Sequence, residues 1–152
     1  VVSYEEVPVR CFSMELPLRL FTLKNIRALN QQKWIKRFNL LTATRLKWDH
    51  AVSYAVKKAR KLGILPNGKE RFNKALTVIQ VFEKPGRIHD IDNFSIVFVH
   101  NALVDNCLLI DDNFDRLRYM LCGSILEPES ANEKTLIKIY DDEKGNIKFP
   151  YM

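Results

Sequence analysis

Residues 94–104 read FSIVFVHNALV, and Phe94, Ile96, Val97, Phe98, Val99, Ala102, Leu103 and Val104 fall round every side of a helical projection. A helix with no polar face must be covered on both sides. The chain has 152 residues, enough for one compact domain spanning 1–152 and short for two. One side of such a helix can lie on a sheet. The other is expected to meet a second subunit, so this segment predicts a homodimer. Taken as residues 93–106, the helix would be about 20 Å long at 1.5 Å per residue.

Two acidic clusters flank it. Asp90-Ile91-Asp92-Asn93 precedes the helix and Asp111-Asp112-Asn113 follows it. In an extended backbone residues i and i+2 point to one side, so Asp90 and Asp92 can face one ligand. Closely placed carboxylates repel, which raises the pKa of one or recruits a divalent cation. Hard oxygens favour Mg²⁺ or Mn²⁺, and such a site suits metal-assisted cleavage of a phosphodiester. The plainer reading is that Asp92 or Asn93 is a helix N-cap and that Asp111-Asp112-Asn113 is a turn. His89, beside Asp90, is a ligand or general base on the first reading and an ordinary loop residue on the second.

Charge is distributed unevenly. The net charge is +6, which favours a polyanionic partner without identifying it. Between Glu15 and Asp49 there is no acidic residue, while Arg19, Lys24, Arg27, Lys33, Lys36, Arg37, Arg45 and Lys47 all fall there. Phe21, Trp34 and Phe38 are interleaved with these cations. Lysine and arginine neutralise phosphates and rings stack on unpaired bases, so this stretch, with Arg87, is a candidate nucleic-acid surface. Trp34 and Phe38, four apart as on a helix, are equally well read as core residues. Asn30, Gln31 and Gln32 suit a loop tip that closes over substrate.

The remaining periodicities give the frame. Residues 11–16 alternate Phe12, Met14, Leu16 against Cys11, Ser13, Glu15, a half-buried strand closed by Pro17. Trp48, Val52, Ala55, Ala59 and Leu62 recur at helical spacing, with Gly63 as the stop. Residues 74–83 read as a central strand leading to the first acidic cluster. In residues 116–126, Leu117, Tyr119 and Leu121 oppose Arg116, Arg118 and Met120, which predicts a strand with one buried and one basic face. Residues 135–140 read as a final strand buried on most sides, and residues 1–10 and 141–152 as tails, with Asp141-Asp142-Glu143 solvated.

The expected fold is thus α+β, a mixed sheet of about four strands carrying two or three helices. Three cysteines without metal spacing suggest neither a disulfide framework nor a zinc site, and a reducing cytoplasm is the simplest home. No apolar run approaches membrane-spanning length, and the start of the chain lacks the pattern of a signal peptide.

Together these pieces resemble the RusA family of Holliday junction resolvases. The matching residues are Asp90-Ile91-Asp92-Asn93 after a strand, Ala102-Leu103 within the helix, and Ile110-Asp111-Asp112 about twenty positions on. The resemblance spans roughly residues 11–143, with specificity in the acidic core. It implies a small dimeric, Mg²⁺-dependent endonuclease acting on four-way DNA junctions in recombination and repair. Asp90, Asp92 and Asp112 would be its essential metal-binding carboxylates and Asp111 their neighbour. Two features depart from the family pattern. Ile96 stands at the offset where the family carries a lysine, and the interval between the acidic clusters is about one residue longer. The alternative these imply is a junction-binding dimer with weak or no cleavage.

Overall fold

The computed structural model describes residues 2–5, 10–22, 31, 33–65, 72–83, 94–126 and 134–145. In chain order its elements are β1 (Val2–Glu5), β2 (Cys11–Leu16), β3 (Phe21–Thr22), α1 (Trp34–Lys61), β4 (Ala75–Glu83), β5 (Phe94–Ser95), α2 (Val97–Asp105), β6 (Leu117–Leu126) and β7 (Thr135–Asp141). Five strands form one mixed sheet in the order β1-β2-β7-β4-β6, in which only β4 and β6 run parallel. β3 and β5 make a separate two-stranded ribbon. The α+β class and mixed sheet are as expected. The fifth strand is β1, which lies in the stretch read as a tail and pairs with β2.

Period-two alternation builds the core. Phe12, Met14 and Leu16 are buried and stand across from Ile139, Ile137 and Thr135, which in turn stand across from Thr77, Ile79 and Val81. Three strands therefore present a continuous buried surface on one face of the pleat. Ile137 and Ile139 share that face with Thr135, so β7 alternates cleanly and is not buried on most sides.

β6 departs from its expected pattern. It pairs only with β4 and ends the sheet, so burial fades along it: Leu117 is buried, Tyr119 half-buried, and Leu121 exposed. Its register against β4 shifts between Ala75↔Leu117 and Leu76↔Tyr119, leaving Arg118 as the extra residue of a bulge.

Helix α1 is 28 residues long and begins at Trp34, well before the expected start at Trp48. Its buried side chains, Trp48, Val52, Ala55, Val56 and Ala59, all lie in the second half. Leu62, expected on that face, is the C-cap residue and is exposed. Gly63 ends the helix as expected: at φ 72° it donates to Arg60 O while Ile64 donates back to Ala59 O, the paired closure of a Schellman motif.

Helix α2 is shorter than expected. Phe94 and Ser95 belong to β5, and the N-cap of α2 is Ile96 with no side-chain cap, so neither Asp92 nor Asn93 fills that role. Nine residues give a length of about 13 Å. One side of α2 reaches the sheet through His100 and Thr77; the other faces α1, where Asn106 Nδ2 donates to Asp49 Oδ1 at 3.0 Å and Arg45 pairs with Asp105 at 3.3 Å. α1 thus covers part of the side expected to meet a second subunit, while Val97 of α2 is exposed.

The C-terminal acids are also built in. Asp141 is the last residue of β7 and pairs with Arg10 at 3.4 Å. Asp142 is buried, donates its N–H to Lys74 O at 2.8 Å and meets Arg118 at 3.0 Å. Glu143 Oε1 accepts from Asn73 Nδ2 at 3.3 Å. Of the three acids expected to be solvated, Asp142 is buried, Asp141 half-buried and Glu143 exposed; residues 146–152 lie outside the described residues.

Candidate acidic site and basic helix

The second acidic cluster is a turn that launches β6. Asp111 Oδ1 accepts from the backbone N–H of Asp112 at 2.8 Å, and Asp111 Oδ2 from Asn113 Nδ2 at 2.8 Å. Asn113 Oδ1 accepts from the N–H groups of Asp115 and Arg116, at 3.0 and 3.2 Å. A short polar side chain bonding its own backbone two or three residues on is the chemistry of an Asx turn. Asn113 bonds in this way, Asp111 uses both oxygens on the next N–H and on the Asn113 amide, and Asp112 is exposed.

The route from α2 into this turn is a sharp reversal. Cys107 takes φ 60° and donates to Val104 O, and Leu108 donates back to Leu103 O at 2.9 Å. This is a second Schellman closure, with cysteine where glycine is usual. Phe72 and Leu109 then form a bridge beside the start of β4. The Asp112 carboxylate is among the influences on His100, in the first half of α2, and favours its protonated form.

His100 was not singled out in the sequence, and the structure makes it central. It is 2 % exposed. Its Nδ1 lies 3.1 Å from Ile96 O, and a carbonyl only accepts, so Nδ1 carries the proton. Nε2 is then an acceptor for the Thr77 hydroxyl at 2.9 Å. Burial lowers the His100 pKa below its ordinary value, against the opposing pull of the Ile96 carbonyl and the Asp112 carboxylate. The only signal in the sequence was a lone histidine within an apolar helix.

Glu83 is a second residue the sequence reading passed over. It ends β4 at 1 % exposure, and Arg19 Nη2 approaches its Oε1 at 3.5 Å. The residues after it, which include Arg87, His89, Asp90 and Asp92, lie outside the described residues, as do Lys24, Arg27, Asn30 and Gln32. Among the described residues no group of three histidine, cysteine or carboxylate side chains is placed to hold a metal ion.

No family model matches the chain, and no curated protein matches it either. The reading of the site therefore rests on its own residues.

The cationic stretch divides. Lys36 and Lys47 are exposed on α1, Lys33 is exposed at its N-cap, and Arg37 is half-buried. Arg19 and Arg45 are held in ion pairs, with Glu83 and Asp105. Trp34 and Phe38 are 68 % and 58 % exposed, with ring centroids 5.9 Å apart and planes 13° from parallel, so they are not core residues. Among the described residues no helix is long and apolar enough to cross a membrane.

Proposed function

We propose that the chain is a metal-dependent, structure-selective DNA endonuclease that resolves four-way junctions, of the RusA type, acting as a homodimer. The observation that carries the reading is the reversal at Cys107 that turns the exposed Asp112 back along α2. Asp92 precedes the N-cap Ile96 by four positions. A chain returning in that direction favours a single carboxylate site over two unrelated turns. Asp90, Asp92 and Asp112 would hold the ion, while Asp111 sets the turn that presents Asp112. The donor set is all carboxylate oxygen, which fits Mg²⁺ or Mn²⁺. When bound, such an ion supplies a Lewis acid for the phosphoryl oxygen and a water of lowered pKa. The chain contributes orientation of the carboxylates and a cationic helix face, Lys33, Lys36 and Lys47, for the phosphate backbone.

A second reading has one observation of its own. Ile96, at the offset of the family lysine, packs against the hydrophobic core, which favours a junction-binding dimer with little cleavage. Labelled four-way junction and matched linear duplex, assayed with Mg²⁺, Mn²⁺ or EDTA, separate the two. Paired, metal-dependent nicking that disappears in Asp92→Asn and Asp112→Asn is expected. Tight binding that is equal in EDTA, with no product in either metal, would sink the nuclease reading and leave the binder.

A further inference from the structure

The first half of α1 carries no buried side chain and, among the described residues, is tied to α2 through Arg45 and Asp105. From Trp34 to Lys47 no residue is buried, and Trp34, Ile35, Phe38, Leu40, Leu41 and Leu46 are exposed large apolar side chains. This half is about 21 Å long at 1.5 Å per residue. At 3.6 residues per turn, Trp34, Phe38 and Leu41 fall on the same side as Trp48, Val52, Ala55 and Ala59, so the core-facing stripe runs on past the buried residues.

We propose that this stripe is the contact between two copies of the chain, paired as antiparallel helices about a two-fold axis. The proposal rests on the dimeric part of the function given above and not on its chemistry. Its spacing is the first argument. The stripe positions 34, 38, 41 and 45 are separated by four, three and four, a pattern that reads the same in both directions. Reversed against itself, it sets Trp34 across from the partner subunit's Arg45 and Phe38 across from the partner subunit's Leu41. Self-complementarity of this kind is what a two-fold interface requires.

Charge is the second argument. Arg45, within the stripe, is paired with Asp105 of its own chain at 3.3 Å, and half-buried Arg37 falls at the stripe's edge, on the line of Ala55. Lys33, Lys36 and Lys47 project roughly 130° round the helix from the stripe, at 100° per residue. The pair therefore brings apolar surfaces together without opposing lysines. A nucleic acid would choose the lysine face and leave Leu41 and Phe38 uncovered. A two-fold perpendicular to both helices also keeps the two lysine faces on one side of the pair, joining them into one cationic surface for a polyanion.

Area sets the strength. With about 150–250 Å² for a fully buried aromatic, the exposed parts of Trp34, Phe38 and Leu41 supply roughly 350 Å² per copy. With flanking stems the two-sided total is near the lower limit of about 1,000 Å² for a specific interface. An interface this close to the limit is expected to form only as concentration rises.

Sedimentation velocity of the full chain over low to high micromolar concentration tests this, with far-UV circular dichroism as a check on folding. Wild type is expected to pass from monomer to dimer, and Phe38→Glu to stay monomeric with unchanged helix content. Ile35→Ser/Leu46→Ser, which removes exposed apolar side chains off the stripe, is expected to dimerise as wild type does. A wild type that stays monomeric throughout, or a dimer that survives Phe38→Glu, overturns the interface. A monomer whose Trp34 emission is quenched by junction DNA would assign the stripe to nucleic acid instead. Cleavage assays on the same samples separate the two proposals. A monomer that cuts junctions removes the interface and leaves the nuclease, whereas a dimer that neither binds nor cuts them removes the nuclease and leaves the interface.

Discussion

Removing the Thr77 hydroxyl tests the buried histidine most directly. Thr77→Val keeps the side-chain shape and takes away the donor to His100 Nε2, 2.9 Å away in a site where both residues are at most 2 % exposed. An acceptor left buried without its donor costs about 1–3 kcal/mol, and each kcal/mol lowers Tm by roughly 2–4 °C in a chain of this size. Replacing both partners, Thr77→Val/His100→Leu, should cost less than the sum of the single changes, since no polar atom is then stranded. The same histidine carries a pH signature. Its folded pKa is lowered, chiefly by burial, so the unfolded chain binds the proton more readily. The stability it contributes is fully present above about pH 6.5, the unfolded value, and is lost as pH falls toward the lowered folded value. The slope in that window is at most about 1.4 kcal/mol per pH unit. Urea unfolding at steps from pH 8 to 5.5 should therefore show wild type losing stability below 6.5 faster than His100→Leu. Equal slopes in the two proteins, or a Thr77→Val variant as stable as wild type, would refute the assignment of a neutral, hydrogen-bonded His100.

Two further outcomes follow from backbone and charge. Cys107 sits at φ 60° where Gly63 sits at 72° in the other helix closure, so Cys107→Gly should be neutral or stabilising by up to about 1 kcal/mol, while Gly63→Ala should cost about 1 kcal/mol. Thermal melts of both variants give the contrast in sign. Asp142→Asn keeps the volume of a buried side chain and removes the charge that meets Arg118 at 3.0 Å. With the Arg118 side chain 34 % exposed and able to turn to water, the loss should be about 1–3 kcal/mol by chemical denaturation, short of that for a fully buried pair.

Residues whose period was unambiguous were legible. Phe12, Met14 and Leu16 alternate on β2 as the sequence requires, β4 is an interior strand between β7 and β6 with β7 in the middle, and Gly63 ends α1. The start of α1 was hidden for a physical reason. From residue 34 to 47 the apolar side chains occupy several sides of the helix because no core of the same chain selects one. Ile35, Leu40 and Leu46 blur the stripe that Trp34, Phe38 and Leu41 make, and the interleaved cations pointed to a separate surface segment. A periodicity search finds a helix by the face it buries, so a helix half that buries no side chain loses the signal while keeping the structure. The same limit explains α2. An all-apolar helix announces that both sides are covered without saying by what, and the covering element, α1, came from a segment whose helical half was understated.

The second acidic cluster shows why a turn and a site need not be rival readings. Asp111 accepts from the Asp112 N–H and the Asn113 side-chain amide, Asn113 Oδ1 accepts from two backbone N–H groups, and these bonds fix the turn with the oxygens a ligand role would need. Asp112, between them, is exposed, and its carboxylate favours the protonated form of His100, buried on α2 itself. Flanking residues that shape the backbone and a central one directed outward are what a positioned carboxylate requires, since a ligand on an unrestrained loop would lose orientation entropy on binding. On the proposed reading, the turn and the ligand role fall on different members of the Asp-Asp-Asn motif. The consequence separates the three residues: Asp112→Asn should act on cleavage and metal response with little change in stability, whereas Asp111→Ala and Asn113→Ala should first loosen the entry to β6.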